Sequence, residues 1–323
     1  MKKILIVGGG GYIGTVLSAY LLSKNYSVVS YDNFIYNHKP SIKKIKNNKF
    51  KNVNKNISKK IEKKDFQNFD AIIILAGLVG DPITKKYKNL SKQINLKGIK
   101  NIINKCKNLN SKFIFISTCS NYGFLKNKVA NEKTKLNPIS LYAKQKVEIE
   151  KFILSLKNKS KFKPIILRFS TAFGVSYRPR FDLTINEFVL RAKLNQTLEV
   201  YDHKTWRPYC HIKDFSKIIY KCINYNNPKI FYQVFNVGSN KNNFRKIDIV
   251  KKIQNYLPNF KYKVVQNSLD PRDYRVSFSK LKRFFKIKQL ISVDYGIKEL
   301  INYLNSQKNK KKFIKCGNFE IKK

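Results

Sequence analysis

The chain has 323 residues, 42% of them hydrophobic, which is enough to bury a full α/β core and a second lobe. Its formal net charge of +48 would by itself suggest a nucleic acid or a membrane surface as partner. Because lysine is spread over nearly all polar positions and does not gather beside aromatic residues, we interpret this charge as solvated surface and predict neither nucleic-acid nor membrane binding.

The cysteines and histidines give no sign of a metal site. Five cysteines are scattered without the paired spacing of metal ligands, which is typical of free thiols in a reducing compartment. His38, His203 and His211 form no ligand set, so we interpret them as structural and predict no metal. No signal peptide precedes the first apolar strand, and no apolar run approaches the roughly 20 residues that span a bilayer, which predicts a cytoplasmic protein.

The first predicted element is a buried strand over residues 4–7 that runs into a glycine-rich turn and a helix over residues 12–24. In this spacing Gly8 allows a sharp turn, Gly11 allows a pyrophosphate to approach the backbone, and Gly14 allows the helix to pack closely on the sheet. The N–H groups at the helix start then face an anion. A glycine turn that binds nothing is the alternative, but the flanking strand and helix favour a dinucleotide site.

A second strand, over residues 27–31, ends at Asp32. A carboxylate roughly 20 residues beyond the glycines suits the two ribose hydroxyls of an adenosine. It also repels a 2′-phosphate, and no arginine follows it, so we predict NAD and not NADP as the cofactor. A weak third strand lies near Val53, after which Asn56 either contacts adenine or belongs to a plain loop.

Two further buried strands end in small or hydroxyl-bearing residues, where open α/β sheets bind cofactors. The first covers residues 70–75 and continues into Ala76-Gly77, and a helix follows in which Asn95 is the polar member of an apolar stripe. The second covers residues 113–116 and ends in Thr118. The sequence therefore predicts a ligand site along one edge of a parallel sheet.

A helix that we predict to open at Pro138 carries Tyr142 and Lys146. Four residues make about one helical turn, so both side chains lie on one face. A lysine ammonium held near a phenol lowers the pKa of that phenol towards the range of a general base. A surface pair without a role is the alternative in a chain rich in both residues, but the glycine turn and Thr118 favour a catalytic pair.

Taken in this order, the motifs resemble those of the extended short-chain dehydrogenase/reductase family, in its NAD-dependent nucleotide-sugar epimerase/dehydratase branch. The resemblance continues through residues 167–174, 207–214 and 235–239 and so covers the chain from residue 1 to about residue 305. It implies an α/β fold, namely a Rossmann-type doubly wound parallel sheet with a smaller C-terminal substrate-binding lobe.

The resemblance also implies that the chain has two structural parts and a tail. We predict an NAD-binding domain over residues 1–170, joined by residues 212–237, and a mainly substrate-binding lobe over residues 171–305. Residues 306–323 are expected to form a frayed basic tail. The helices around 84–107 and 139–157 resemble those that pair in family homodimers, so we predict a homodimer.

The chemistry implied by the resemblance is hydride transfer on a sugar bound to a nucleoside diphosphate. Tyr142 would take the proton from a sugar hydroxyl, most often at C4, while Thr118 hydrogen-bonds that oxygen and Lys146 holds the nicotinamide ribose. The family's dehydratases carry Asp and Glu after this threonine, whereas this chain has Cys119 and Ser120. We therefore favour an epimerase, or a reductase or oxidase of a 4-keto sugar, over a 4,6-dehydratase. A non-catalytic NAD-binding regulatory protein is disfavoured because the threonine, tyrosine and lysine are all present.

Arginine is scarce beside lysine in this chain, and planar guanidinium groups suit a diphosphate. In the family, residues at positions like Arg207 and Arg272 or Arg275 hold the phosphates of the sugar nucleotide. The predicted catalytic residues are Thr118, Tyr142 and Lys146. The predicted cofactor contacts are Gly8, Gly11, Tyr12, Ile13, Gly14, Asp32, Asn33, Asn56, Ile57, Leu75, Ala76, Gly77, Asn95, Tyr142, Lys146 and Phe169. The predicted substrate contacts are Asp81, Cys119, Ser120, Asn121, Asn186, Arg207, Arg272 and Arg275.

Overall fold

A computed structural model describes residues 1–266 and 270–321. The strands are β1 (Lys3–Val7), β2 (Ser27–Asp32), β3 (Phe50–Asn54), β4 (Ala71–Ile74), β5 (Lys112–Thr118), β6 (Phe124–Ala130), β7 (Lys163–Phe169), β8 (Thr171–Phe173), β9 (Leu198–Tyr201), β10 (Trp206–His211), β11 (Gln233–Val237), β12 (Asn243–Arg245), β13 (Tyr262–Val265) and β14 (Asp273–Val276). The helices are α1 (Tyr12–Ser23), α2 (Lys39–Ile42), α3 (Asp81–Lys86), α4 (Lys88–Lys92), α5 (Ile99–Cys106), α6 (Leu141–Ser155), α7 (Thr184–Lys193), α8 (Ile212–Asn224), α9 (Lys246–Gln254), α10 (Ser279–Phe285) and α11 (Val293–Asn305).

The centre of the fold is a parallel sheet with the strand order β11-β7-β5-β4-β1-β2-β3. Strand order reverses at β1, because β2 and β3 lie on one side of it and β4, β5, β7 and β11 lie on the other. Such a reversal opens a crevice at the carboxyl ends of the strands, where open α/β sheets bind ligands. The predicted Rossmann-type doubly wound fold is confirmed.

Helices cover both faces of this sheet, which explains why its central strands β1, β4, β5 and β7 are nearly continuous apolar runs. Ile4 and Ile6 of β1 pack in the layer that contains α1, α8 and α10, whereas Leu5 and Val7 pack in the layer that contains α5 and α6. Successive side chains of a strand point to opposite faces, so one apolar strand supplies both layers. Fully burying a side chain of this size contributes roughly 1.5–3 kcal/mol, so each such strand stabilises both layers.

A second apolar core lies in the smaller lobe, where α7, α9 and α11 pack with β9 and β10. Residues 212–237 return to the central sheet as α8 and β11, and α10 also packs on that sheet. The division into an NAD-binding domain and a lobe stays a prediction, but each predicted segment supplies most of one core.

Two predicted helices differ in detail from the structure. The helix that carries Tyr142 begins at Leu141 and not at Pro138, because the Ser140 side chain accepts a hydrogen bond from the Ala143 amide at 3.2 Å and so caps the helix there. The predicted long helix before β5 is divided into α3, α4 and α5, with a wide π-helical turn over Gln93–Gly98.

The tail packs on the lobe. Phe313 is buried among lobe side chains, with its ring 5.1 Å from that of Phe181 and 5.6 Å from that of Tyr303. The Phe181 amide donates to the Cys316 carbonyl at 2.7 Å. The prediction of a frayed tail is therefore wrong for the described residues, and the last two residues of the predicted tail, 322–323, lie outside them.

Within residues 1–266 and 270–321, none of the helices has the length and apolar character needed to cross a bilayer. All five cysteines are free thiols, and four of them are buried.

Candidate active site

The glycine turn brings three backbone segments into close approach after β1. Gly8 has a φ of +89°, and a side chain there would meet the Ala76 nitrogen at 2.5 Å. A side chain at Gly14 would meet the Gly8 carbonyl oxygen at 2.5 Å. Only glycine fits both positions, so this geometry agrees with the turning and packing roles predicted from the spacing.

Asp32 is held rigidly at the end of β2. One carboxylate oxygen accepts from the Gly10 amide at 2.9 Å, and the other accepts from the Phe34 amide at 2.8 Å. The His38 imidazole lies 3.3 Å from that second oxygen. An ionised carboxylate has about four acceptor positions, so Asp32 keeps capacity for the hydroxyls of a ribose.

A cavity of about 650 Å³ opens between the glycine turn and the lobe, at the carboxyl edge of the sheet. Its lining includes eight basic and five acidic side chains, a balance that favours anionic ligands. The predicted site residues that line it are Gly8, Gly11, Tyr12, Ile13, Gly14, Asp32, Asn33, Ile57, Leu75, Ala76, Gly77, Asp81, Thr118, Ser120, Tyr142, Lys146, Phe169, Arg207 and Arg272.

Thr118, Tyr142 and Lys146 meet on one wall of this cavity. The Thr118 hydroxyl accepts from the Ser120 amide at 3.1 Å, which fixes it at the end of β5. The Lys146 ammonium donates to the Ile116 carbonyl at 2.7 Å and lies 5.8 Å from the centre of the Tyr142 ring. Helix α6 therefore presents its tyrosine and lysine beside the end of β5, as the spacing predicts.

The electrostatics of this pair differ from the expectation. Burial raises the pKa of Tyr142 and the charge of Asp81 raises it further, while Arg180 and Arg272 oppose the rise. Burial lowers the pKa of Lys146 to about 8, although the charge of Glu150 opposes this. The predicted lowering of the phenol pKa is therefore wrong for the protein by itself, because desolvation outweighs the nearby cations.

A buried ion pair supports this wall from behind. Arg168 donates to Glu150 through Nε at 3.0 Å and through Nη2 at 2.6 Å. The same carboxylate accepts from the Ser117 hydroxyl and from the Asn121 amide. The end of β5 is thus tied to α6 and β7 by a hydrogen-bonded charge pair that does not reach the cavity.

Arg207 and Arg272 converge on one carboxylate, that of Asp270. Arg272 donates to both Asp270 oxygens at 2.7 Å, and Arg207 donates to one of them at 2.9 Å. Burial alone would raise the pKa of Asp270, but the hydrogen bonds and charges of Arg272 and Arg207 hold it well below its usual range. Arg275 lies outside the cavity wall, with its guanidinium 5.2 Å from the ring of Trp206.

Two residues predicted to contact substrate next to Thr118 do not reach the cavity wall. The Cys119 thiol is directed at the Arg168 carbonyl at 3.2 Å, and burial raises its pKa to about 12. The Asn121 amide donates to Glu150 at 2.9 Å and to the Ser117 hydroxyl at 3.1 Å, so it belongs to the buried network. The tight turn after β5 directs these two side chains inward and leaves Ser120 facing the cavity.

Three predicted asparagine contacts also lie elsewhere. Asn186 donates to the Tyr12 hydroxyl at 3.0 Å and accepts from the Gly174 amide at 3.0 Å, which ties the lobe to the glycine turn. Asn95 accepts from the Leu78 amide at 2.9 Å and so shapes the loop after β4 without lining the cavity. The Asn56 side chain accepts hydrogen bonds from the amide and the hydroxyl of Ser58, within its own loop.

Other cavity residues were not predicted. The most prominent are Arg178 and Arg180, which line the wall beside Tyr36 and Asp182. The scarcity of arginine, which drew attention to Arg207, applies equally to them and was a usable signal. His38, interpreted as structural, also lies in the wall. The remaining polar or aromatic additions are Tyr31, Tyr36, Lys55, Lys86, Ser117, Ser170, Thr171, Asp182, Thr184, Glu187, Lys246, Asp270, Tyr274, Asn318 and Phe319.

Residues 316–321, which we term the bridging segment, connect the lobe to the sheet across the cavity. On the lobe side, Arg178 donates to the Gly317 carbonyl at 3.3 Å and the Asn318 amide donates to Asp182 at 3.1 Å. On the sheet side, the Asn318 side chain donates to the Val79 carbonyl at 3.4 Å. Asn318 and Phe319 complete the cavity wall.

Both the sequence and the three-dimensional structure of this chain are similar to those of known proteins. Residues 4–238 match the family described as the NAD dependent epimerase/dehydratase family. An uncharacterised protein of Methanocaldococcus jannaschii is 26% identical over 325 residues, which cover 95% of this chain and 98% of that protein. An uncharacterised UDP-glucose epimerase of Bacillus subtilis is 27% identical over 249 residues, which cover 73% of this chain and 76% of that protein.

Among solved structures, the UDP-glucuronic acid 4-epimerase of Bacillus cereus, in complex with UDP-glucuronic acid and NAD, superposes with a TM-score of 0.85. The match covers 94% of this chain and 99% of that one, at 22% sequence identity. At this identity the likeness establishes the fold, including the lobe and the central sheet.

Proposed function

The chain belongs to the NAD dependent epimerase/dehydratase family, and we propose that it is an NAD-dependent epimerase, or a related 4-keto redox enzyme, that acts at C4 of a sugar bound to a nucleoside diphosphate. The observation that carries this proposal is the convergence of Thr118, Tyr142 and Lys146 with the glycine turn in one cavity. Two of the similar proteins, from Bacillus subtilis and Bacillus cereus, carry the names of nucleotide-sugar epimerases, which supports the same reaction class.

The residues present fit an NAD molecule. The close backbone approach at Gly8 and Gly14 fixes the turn, Gly11 leaves bare backbone on the cavity wall for a pyrophosphate, and Asp32 keeps acceptor capacity for the adenosine ribose. Ile57, Ala76 and Phe169 line the rest of the proposed cofactor wall. When bound, NAD supplies the acceptor and donor of hydride for the sugar carbon.

Within the chain, the phenolate form of Tyr142 takes the proton of the sugar hydroxyl, the phenol so formed returns a proton to the keto sugar, and Thr118 orients that oxygen. Because the pKa of Tyr142 is raised, the phenol is neutral at pH 7 in the protein by itself and is prepared to return a proton to a keto sugar. The pKa of Lys146 is about 8, so its ammonium form predominates at pH 7 and stabilises the phenolate that forms on proton removal.

The diphosphate of the substrate is proposed to bind at Arg207 and Arg272. Both guanidiniums are held by Asp270, so they are fixed before a ligand arrives, which reduces the entropic cost of binding. Arg272 also approaches the Ser120 hydroxyl at 3.5 Å, next to the catalytic wall. Lys246 lines the same part of the cavity and adds positive charge.

The geometry favours an epimerase or 4-keto redox enzyme over a 4,6-dehydratase. Elimination of water needs an acid and a base beside the sugar, in addition to the tyrosine. Cys119 is buried with a raised pKa, and Ser120 has no carboxylate, so the two positions after Thr118 do not supply that chemistry. The dehydratase and the 4-ketoreductase remain the alternative reactions of the same cavity.

The test is to incubate NAD-loaded protein with a panel of nucleotide sugars and to follow product stereochemistry by NMR and NADH by absorbance. An epimerase inverts C4 without net NADH formation. A lasting NADH signal indicates a 4-keto oxidation, and loss of water indicates the dehydratase. Absence of any conversion with every sugar nucleotide in the panel contradicts the proposal.

Cofactor choice gives a separate prediction. We expect NAD to bind at least tenfold more tightly than NADP, a difference of about 1.4 kcal/mol, because Asp32 repels a 2′-phosphate. Calorimetric titration of both cofactors measures the ratio. An Asp32→Asn variant, which keeps the shape and removes the charge, should bring the two affinities closer, and equal affinities for the unaltered protein would contradict the prediction.

Assembly is a further prediction. We propose that two copies pair through the segment from α3 to α5 and through α6, whose outer surface includes Leu154, an exposed apolar side chain. Light scattering at micromolar concentration should give twice the mass of one chain. A Leu154→Asp substitution should weaken the dimer because it buries a charge in the contact, and a monomer of the unaltered protein would contradict the pairing.

A further inference from the structure

Asp81 has an unusual position in the cavity. It follows Gly80, whose φ is +108°, in the loop after β4, and it lines the cavity together with Tyr142. One of its carboxylate oxygens lies 2.7 Å from Nη1 of Arg272. The other oxygen is buried and has no hydrogen-bond partner among the residues that the structure describes.

A buried carboxylate oxygen without a donor is costly unless a ligand satisfies it. The neighbouring cation Arg180 is already bound to Asp182 through Nε at 2.9 Å. Helix α3 begins at Asp81 and contacts α6, which carries Tyr142, and both side chains line the cavity. The charge of Asp81 also raises the pKa of that phenol. The unsatisfied acceptor therefore lies beside the reacting atoms.

The ion pair with Arg272 is also open to competition. Nε and Nη2 of Arg272 are bound to Asp270, which leaves Nη1 as the edge that Asp81 shares with any incoming anion. A diphosphate that binds this edge competes with Asp81 for Nη1, while Nε and Nη2 stay on Asp270. The Asp81 carboxylate then needs a new donor, and the sugar is the part of the ligand that can supply it.

On the basis of the proposed function, we propose that Asp81 accepts a hydrogen bond from a neutral hydroxyl of the sugar next to the reacting carbon and thereby excludes sugars with an acidic group there. The substrate class is then a nucleotide sugar with a neutral hexose and not a uronic acid. The hydroxyl that we assign to Asp81 is the one at C6, two bonds from C4, so a C6 carboxylate in its place would meet like charge.

A neutral substrate would distinguish this chain from a protein that has the same fold. The superposed Bacillus cereus enzyme acts on UDP-glucuronic acid, a sugar nucleotide with a carboxylate at C6. The overall likeness would suggest the same acidic substrate. The local charge beside Tyr142 argues for the neutral counterpart.

The experiment compares UDP-glucose with UDP-glucuronic acid, which differ in their C6 group alone. Binding to the NAD-loaded full chain is measured by calorimetry, so the result does not depend on turnover. We expect the unaltered protein to bind UDP-glucose at least tenfold more tightly. In Asp81→Asn the preference should shrink at least tenfold, because the amide keeps the shape, loses the charge and can donate to a carboxylate.

The matched control is Asp294→Asn on α11, whose carboxylate pairs with Lys252 at 2.8 Å and does not line the cavity. It should leave the preference unchanged. Asp81→Ser is a second variant in case the asparagine variant fails to fold, and it should shrink the preference in the same direction.

Equal binding of the two sugars by the unaltered protein overturns the inference, and so does a preference that survives removal of the Asp81 charge. Either result leaves the proposed function intact if C4 inversion is observed. A strong preference for UDP-glucose without any conversion supports the role of Asp81 and contradicts the proposed reaction. Failure of both sugars to bind overturns the inference, whereas the proposed function is decided by the wider panel of nucleotide sugars.

Discussion

Replacing Tyr142 by phenylalanine is expected to lower turnover by roughly 10²–10⁴-fold, the usual contribution of a positioned acid or base. The substitution removes the phenol oxygen and leaves a ring of the same shape in a buried position, so the fold and NAD binding should be unchanged. Turnover of a substrate that the parent protein converts is measured at saturating NAD.

Two comparisons make this result specific. Tyr295→Phe removes a hydroxyl from an exposed tyrosine on α11 and should leave turnover unchanged. Lys146→Ala should lower turnover and also weaken NAD binding, because the ammonium is proposed to touch the nicotinamide ribose. If Tyr142→Phe retains nearly full turnover, the proposed acid/base and the C4 mechanism are both wrong for this chain.

The largest effect on stability is expected at Glu150. Its carboxylate accepts hydrogen bonds from Arg168, Ser117 and Asn121 in a fully buried position. Glu150→Ala leaves the Arg168 guanidinium charged and unpaired in the core, which typically costs 3–5 kcal/mol. Urea denaturation followed by circular dichroism should show this loss as a lower free energy of unfolding.

The same helix offers a matched control. Glu148 lies two residues earlier in α6 and pairs with Lys100 at 2.6 Å on the surface, where water screens the charges. Glu148→Ala should therefore change the free energy of unfolding by about 0–1 kcal/mol. A loss below about 1 kcal/mol for Glu150→Ala as well would mean that the buried pair contributes nothing beyond a surface one.

The parts of the site that the sequence predicted are those fixed by local spacing. The glycine turn sets the conformation of its own backbone, and one helical turn places Tyr142 and Lys146 on one face whatever surrounds them. Asp32 and Thr118 end strands of one parallel sheet, so both must reach its carboxyl edge. The same reasoning gave the sheet and its covering helices.

Some side chains were assigned wrongly because their positions depend on packing against segments that are distant in the sequence. Asn121 and Ser120 are neighbours in one tight turn, yet the first bonds to buried Glu150 and the second faces the cavity. The direction of each follows from where α6 and β14 lie, which local sequence does not encode. Asn186 has the same character, because its partner Tyr12 is 174 residues away along the chain.

The direction of the pKa shift of Tyr142 was also predicted wrongly. A lysine one turn from a tyrosine predicts a lowered phenol pKa only if the site stays solvated or the cation is the dominant neighbour. The depth of burial of Tyr142 and the carboxylate of Asp81 arise from the assembled fold, and together they reverse the direction of the pKa shift.

The packing of the tail, in contrast, could have been predicted from the sequence. Phe313 lies within a lysine run, and this apolar residue was a sign that the segment packs on the protein.

The bridging segment has a practical consequence for anyone who purifies this protein. A label attached beside Ile321, whose amide donates to the Tyr87 hydroxyl at 3.4 Å, would crowd the cavity, because Asn318 and Phe319 of the same segment form part of its wall. The amino end enters β1 at Lys3, at the opposite edge of the sheet from Val7 and the cavity. A label placed there stays clear of the cavity wall, so binding is best measured on protein labelled at that end.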